Sequence, residues 1–172
     1  MVERVAVMIC PHSGVRTDED LLRYFEAVYA RIGDVPTVLQ DFPARPNITR
    51  MRAELSRPAQ ILTGNNCQFI VQEMERGADG PMAGFSYPEM LSGLYDLMTA
   101  GQRCAAHDLF NRYLPLLKHK AQGQRSIALR KEMMRRRGAL SSNALRGPEP
   151  KLTQTDLAKL DVLIGRMDLP QG

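Results

Sequence analysis

The sequence predicts an α/β fold of about four parallel strands, each followed by a helix, with a helical extension behind them. Three observations carry this. Short apolar runs alternate with amphipathic segments in the first half of the chain. Glycine-bearing turns separate them. Beyond Tyr87 only the helical period remains. The clearest stretch runs from Gln60 to Pro88. Ile61 and Leu62 form a short apolar run that ends in Gly64-Asn65-Asn66. A helix with Phe69, Ile70 and Met74 on one face then stops at Gly77. Pro81 to Ala83 forms the next run, ending in Gly84-Phe85-Ser86. Ligands of parallel βα units gather where strands end and helices begin. The two turns are therefore expected to lie side by side on one rim and to touch whatever is bound.

The other elements follow in order. Arg4 to Cys10 is nearly continuous apolar sequence and reads as a strand buried on both faces. Thr17 caps the next helix, and Asp18, Glu19 and Asp20 suit its positive end. Leu21, Leu22, Phe25, Val28 and Ile32 recur at helical spacing, and Gly33 closes the helix. Val35 to Leu39 is the second strand, followed by Gln40-Asp41-Phe42-Pro43. A short helix capped by Asn47 comes directly after Pro46, without an intervening strand. Tyr87 to Ala100, Arg103 to Lys120 and Ser126 to Arg137 are helices, Pro115 marking a kink in the second. Ser141 to Lys151 is a loop, and Thr153 to Asp156 opens a last helix through a capping pattern. Residues 1–100 are read as a partial βα body and 101–172 as helices packed on it, forming one domain overall.

Composition narrows the function. With 172 residues, 44% hydrophobic and 24% charged, the chain has the make-up of an ordinary globular protein. No apolar run approaches the ~20 residues of a membrane span. The first residues lack the pattern of a signal peptide, so a cytoplasmic location is expected. Cys10, Cys67 and Cys104 are widely separated and carry no zinc spacing. They read as core filling, and no metal is expected. No phosphate-cradling glycine motif is present, and no cofactor is expected. The net charge of +4 raises nucleic acid as a partner. Yet Arg130, Lys131, Arg135, Arg136 and Arg137 cluster on one helix without aromatic residues between them. They read as a solvated face, and nucleic acid is disfavoured.

Several landmarks resemble the dihydrodipicolinate synthase / N-acetylneuraminate lyase family. Gly64-Asn65-Asn66 resembles the family's turn after its seventh strand, and Gly77-Ala78-Asp79-Gly80 with Met82-Ala83-Gly84 resembles its eighth strand. Ala105 to Phe110 with Leu114-Pro115-Leu116, Arg130-Lys131-Glu132 with Gly138, and Arg146-Gly147-Pro148 with Leu152-Thr153 resemble its C-terminal helices and tail. Pro11-His12-Ser13-Gly14 and Gln40-Asp41-Phe42-Pro43 stand where its fourth and fifth strands end. The resemblance implies an incomplete TIM-type (βα) barrel. It implies Schiff-base lyase or aldolase chemistry on pyruvate-like 2-oxo acids, with a small carboxylate as partner. By the same resemblance Gln40 occupies the place of a proton-relaying tyrosine, and Arg45 matches an arginine that holds a substrate carboxylate.

The chain departs from the family in two places. Strands one to three have no counterpart, and the sixth strand, which bears the Schiff-base lysine, is missing between Pro46 and Asn47. A Schiff base needs a primary amine that can be neutral, and arginine cannot supply one. All five lysines, Lys118, Lys120, Lys131, Lys151 and Lys159, lie in the C-terminal third. In the resembled fold Lys118 and Lys120 lie outside the barrel mouth. No residue is therefore assigned as catalytic. His12, Gln40 and Asp41 are the remaining candidates, His12 as a general base at a strand end. Arg45, Gly64, Asn65, Asn66, Gly84 and Ser86 are candidates for substrate binding. His12, Asn65, Asn66 and Ser86 serve equally well as turn and capping residues.

Three functions stay open: a family member or remnant with impaired catalysis, an active lyase using a recruited lysine, or a non-enzymatic oligomerising module or nucleic-acid binder. About eight strands close a barrel of this type, so four leave unpaired edges and favour a homo-oligomer.

Overall fold

The computed structural model describes residues 6–11, 17–40, 48–147 and 150–167. The chain divides into two compact units, residues 1–83 and 84–172. The sequence draws its boundary at 100/101. The helix before that point instead packs on the helix after it, in the second unit.

In the first unit, β1 (Val7–Ile9), β2 (Thr37–Gln40), β3 (Gln60–Thr63) and β4 (Gly80–Pro81) form one parallel sheet in that order. The helices are α1 (Asp18–Ile32), α2 (Ile48–Glu54) and α3 (Ile70–Glu75). Ile9, Leu39 and Ile61 stand opposite one another in register. A strand alternates its side chains, so these three share one face. They pack with Leu21, Phe25 and Tyr29 of α1 and Ile48 and Met51 of α2 into one core. Met8, Val38 and Gln60 are in register on the opposite face. Met8 there is 56% exposed and Val7 is 40% exposed. This corrects the expectation that the first strand is buried on both faces: helices cover one side of β1 only.

Thr17 caps α1 as the sequence predicts. Its hydroxyl accepts from the Asp20 amide at 3.1 Å, and the Asp20 carboxylate accepts from the Thr17 amide at 3.2 Å. Thr17→Ala is expected to destabilise the first unit by about 1 kcal/mol. Urea unfolding would check this, and an unchanged midpoint would mean that the cap contributes nothing. Arg52 ties the opposite end of the sheet together. Its guanidinium donates to the carbonyls of Ala59 (2.6 Å) and Gly77 (3.0 and 3.1 Å) and pairs with Asp79. Asp79 in turn accepts from the Ile61 amide at 2.7 Å.

Phe69 departs from expectation. The sequence places it on the buried face of α3, yet it sits at the N-cap and is 47% exposed. A 3-10 turn at Asn65–Cys67 delays the helix start, so Ile70, Val71 and Glu73 form the buried face instead.

The second unit is helical: α4 (Pro88–Thr99), α5 (Arg103–Lys120), α6 (Ser126–Arg136) and α7 (Gln154–Arg166). α5 is the hub and packs against α4, α6 and α7. Ala106, Phe110, Tyr113, Leu116 and Leu117 are its buried stripe, and Leu94, Leu129, Met133, Leu160 and Ile164 are buried on the other helices. Thr153 and Asp156 form the second capping box.

Candidate functional site

The parallel register places the C-terminal strand ends of the first unit together. Gln40 lies half-buried opposite Leu62, at the end of β2. β3 runs into buried Gly64 and then the Asn65–Cys67 turn. Asn66 and Cys67 both adopt left-handed backbone, at φ 57° and 65°. Two successive non-glycine residues in this region are uncommon and strained. The Met82 amide donates to the Thr63 carbonyl at 3.0 Å, carrying the ladder past β4. Sequence reasoning missed Thr63. Its hydroxyl is fully buried at the strand end and has no hydrogen-bond partner among the described residues. The signal that could have found it is a polar residue closing an otherwise apolar run. His12, Asp41 and Arg45 lie outside the described residues, as does the side chain of Asn65.

In the second unit, Gly84 and Ser86 meet three basic residues. The Gly84 carbonyl accepts from Lys120 Nζ at 2.6 Å. Lys120 is fully buried, and its ammonium lies 5.2 Å from the Phe85 ring centroid. Lys118, two residues earlier, is exposed. A β-carbon added to Gly84 would fall 1.8 Å from Arg130 Nη1, so glycine makes room for that guanidinium. Ser86 is buried and donates its hydroxyl to the Arg130 carbonyl at 3.0 Å. Arg137 donates to the Ser86 carbonyl, pairs with Glu89 at 2.7 Å and lies 4.4 Å over the Tyr87 ring. Phe85, Tyr87 and Tyr113 pack their rings within 5.6 to 6.1 Å of one another. Burial pushes the phenols of Tyr87 and Tyr113 above their ordinary range. Both tyrosines are therefore neutral at physiological pH.

The basic helix is more than a solvated face: Arg135 is exposed, yet it and its neighbours are paired within the protein. Glu132, 2% exposed, receives Arg135 at 2.9 and 3.0 Å, Arg136 at 2.9 Å and the Asn143 amide at 2.7 Å. Arg136 also pairs with Asp161. Hydrogen bonds from Arg135 foremost, then Arg136 and Asn143, hold the Glu132 carboxyl at about 2 against the opposing effect of burial. Of the cysteines, Cys67 fills core as expected, whereas Cys10 and Cys104 are exposed. Among the described residues no cluster of three histidine, cysteine or acidic side chains could hold a metal ion. Nor, among them, is any helix long and apolar enough to cross a membrane.

A parallel βα sheet whose loops gather at the strand ends, followed by a helical unit, defines the class: an incomplete TIM-type (βα) barrel with a C-terminal helical extension. Solved structures share this fold. Dihydrodipicolinate synthase from Rhodopseudomonas palustris is 37% identical with a TM-score of 0.77, and the match covers 94% of this chain and 65% of that one. The Acinetobacter baumannii dihydrodipicolinate synthase complexed with pyruvate has a TM-score of 0.69 at 17% identity, covering 96% of this chain and 66% of that one. YagE from Escherichia coli K12, a prophage protein of the dihydrodipicolinic acid synthase family in complex with pyruvate, gives 0.67 at 17%, covering 96% and 67%. These last two matches speak for the fold alone. No family model matches the chain, and no curated protein does. In fold and in sequence the chain is similar to dihydrodipicolinate synthase, and it spans 65% of the length of the Rhodopseudomonas relative.

Proposed function

We propose that this chain is a dihydrodipicolinate synthase-like protein that binds a small 2-oxo acid or related carboxylate at its strand ends but does not run Schiff-base catalysis with its own residues. One observation carries the reading: β2 pairs directly with β3. By the family resemblance these are the fifth and seventh strands, so no lysine-bearing strand stands between them. The five lysines all lie in the second unit. Lys120 is fully buried, and its Nζ is engaged by the Gly84 carbonyl at 2.6 Å and lies beside the Phe85 ring, within the second unit. Two family relatives described above were solved with pyruvate, which supports a small 2-oxo acid as the ligand class. The reading includes a cytoplasmic location and no cofactor.

Incubation with pyruvate and borohydride, followed by intact mass measurement, tests the reading. No covalent adduct is expected. A pyruvate-derived adduct on Lys118, Lys120 or any other lysine would sink it and favour a lyase with a recruited amine.

A second reading concerns assembly. The described sheet has four strands, where a closed barrel needs about eight, and the edge strand β1 exposes Val7 and Met8. Self-association through this edge is the proposed consequence. A compact monomer at all concentrations in sedimentation would count against it.

A further inference from the structure

We infer that the cleft between α5 and α7 is a binding site for a small organic anion, a carboxylate joined to an apolar body. The inference stands apart from the strand-end site. Arg112 and Pro115 lie one helical turn apart on α5, so they share a face. Leu163, Arg166 and Met167, at the corresponding spacing on α7, face them. Together these five residues line a cleft of about 550 Å³, within the range of small-ligand sites.

The charge pattern selects the ligand. Several arginines of this unit meet carboxylates within the protein: Arg125 meets Asp156, Arg135 and Arg136 meet Glu132, and Arg137 meets Glu89. Arg112 and Arg166 make no hydrogen bond or ion pair among the described residues. Two unneutralised guanidiniums thus border one cleft, where an anion would relieve their mutual repulsion. Guanidinium forks suit the two oxygens of a carboxylate. The rest of the described lining, Pro115, Leu163 and Met167, is apolar and would be left uncovered by a bare inorganic ion. A carboxylate carrying a hydrocarbon segment uses both surfaces.

Calorimetric titration of the full chain with 4-phenylbutanoate, 4-phenylbutan-1-ol and inorganic phosphate tests this. The carboxylate is expected to bind at least about tenfold more tightly than either comparison compound. Arg112→Gln and Arg166→Gln should each weaken it about tenfold, because each removes one charge-assisted contact. Arg112→Lys should lose less than Arg112→Gln. Both arginines are exposed, so the variants should keep wild-type unfolding midpoints. Equal affinity for the alcohol would reduce the cleft to an apolar groove. Equal affinity for phosphate would reduce it to a patch of charge. Undetectable carboxylate binding, or binding unaltered in the double Arg112→Gln/Arg166→Gln variant, would overturn the assignment.

Discussion

Replacing Glu132 by glutamine is expected to destabilise the helical unit by about 2–3 kcal/mol at neutral pH, with an effect that fades in acid. Glu132 is buried and receives two guanidiniums and an amide. Removing its charge leaves Arg136 with Asp161 as its one carboxylate partner among the described residues and weakens every bond that the carboxylate accepts. The linkage has a definite sign. The carboxyl is held at about 2 in the folded protein against an ordinary value of 4.5. A depressed carboxylate contributes stability that is complete above its unfolded value and is lost as pH falls through its folded one. The difference between wild type and Glu132→Gln should therefore be constant from neutral pH down to about 5. It should shrink between about 4.5 and 2, and be gone below that. Denaturant unfolding of both proteins across this range would show it. A difference independent of pH would mean that the glutamate acts through its shape and not its charge.

The sequence reveals contacts made by neighbours along the chain and hides those made across it. The βα order, the four strands and the capping boxes at Thr17 and Thr153 are written in local patterns. Alternation, helical spacing and a hydroxyl three residues ahead of a carboxylate all act within a few positions. Glu132 and the arginines after it are local too, but their meaning is not. A run of like charges reads as solvated until Glu132, Asp161, Glu89 and the Ser86 carbonyl are brought to it by folding. Phe69 fails for a related reason. The turn at Asn65–Cys67 places two non-glycine residues in left-handed backbone, a choice that residue type alone does not announce. Of the candidate site, the turns after β3 and β4 were legible as glycine-bearing strand ends. The buried hydroxyl of Thr63 and the ammonium of Lys120 were not, because burial depends on what distant segments cover.

Lys120 gives the sharpest contrast between the two levels, and its removal is expected to have an effect as large as that of Glu132. A lysine in the last turn of a helix ordinarily lies in water beside the free carbonyls. Here the side chain is fully buried and reaches back to Gly84, the first residue of the second unit. Its ammonium fixes that carbonyl and packs near Phe85, in the stretch that leads into α4. Truncation by Lys120→Ala removes a charge-assisted hydrogen bond and opens a cavity, together costing about 3 kcal/mol. Lys120→Met fills most of the volume and avoids desolvating an ammonium, so about half that cost is expected. Amide exchange should accelerate at Phe85 and Ser86 in both variants while the centre of α5 stays protected. In the native protein, amine acetylation should mark exposed Lys118 well before Lys120. Rapid labelling of Lys120 in folded protein, or a Lys120→Ala variant as stable as wild type, would show that the ammonium does not hold this turn. An accessible amine at that position would also revive the recruited-lysine reading, which the pyruvate and borohydride experiment would then decide.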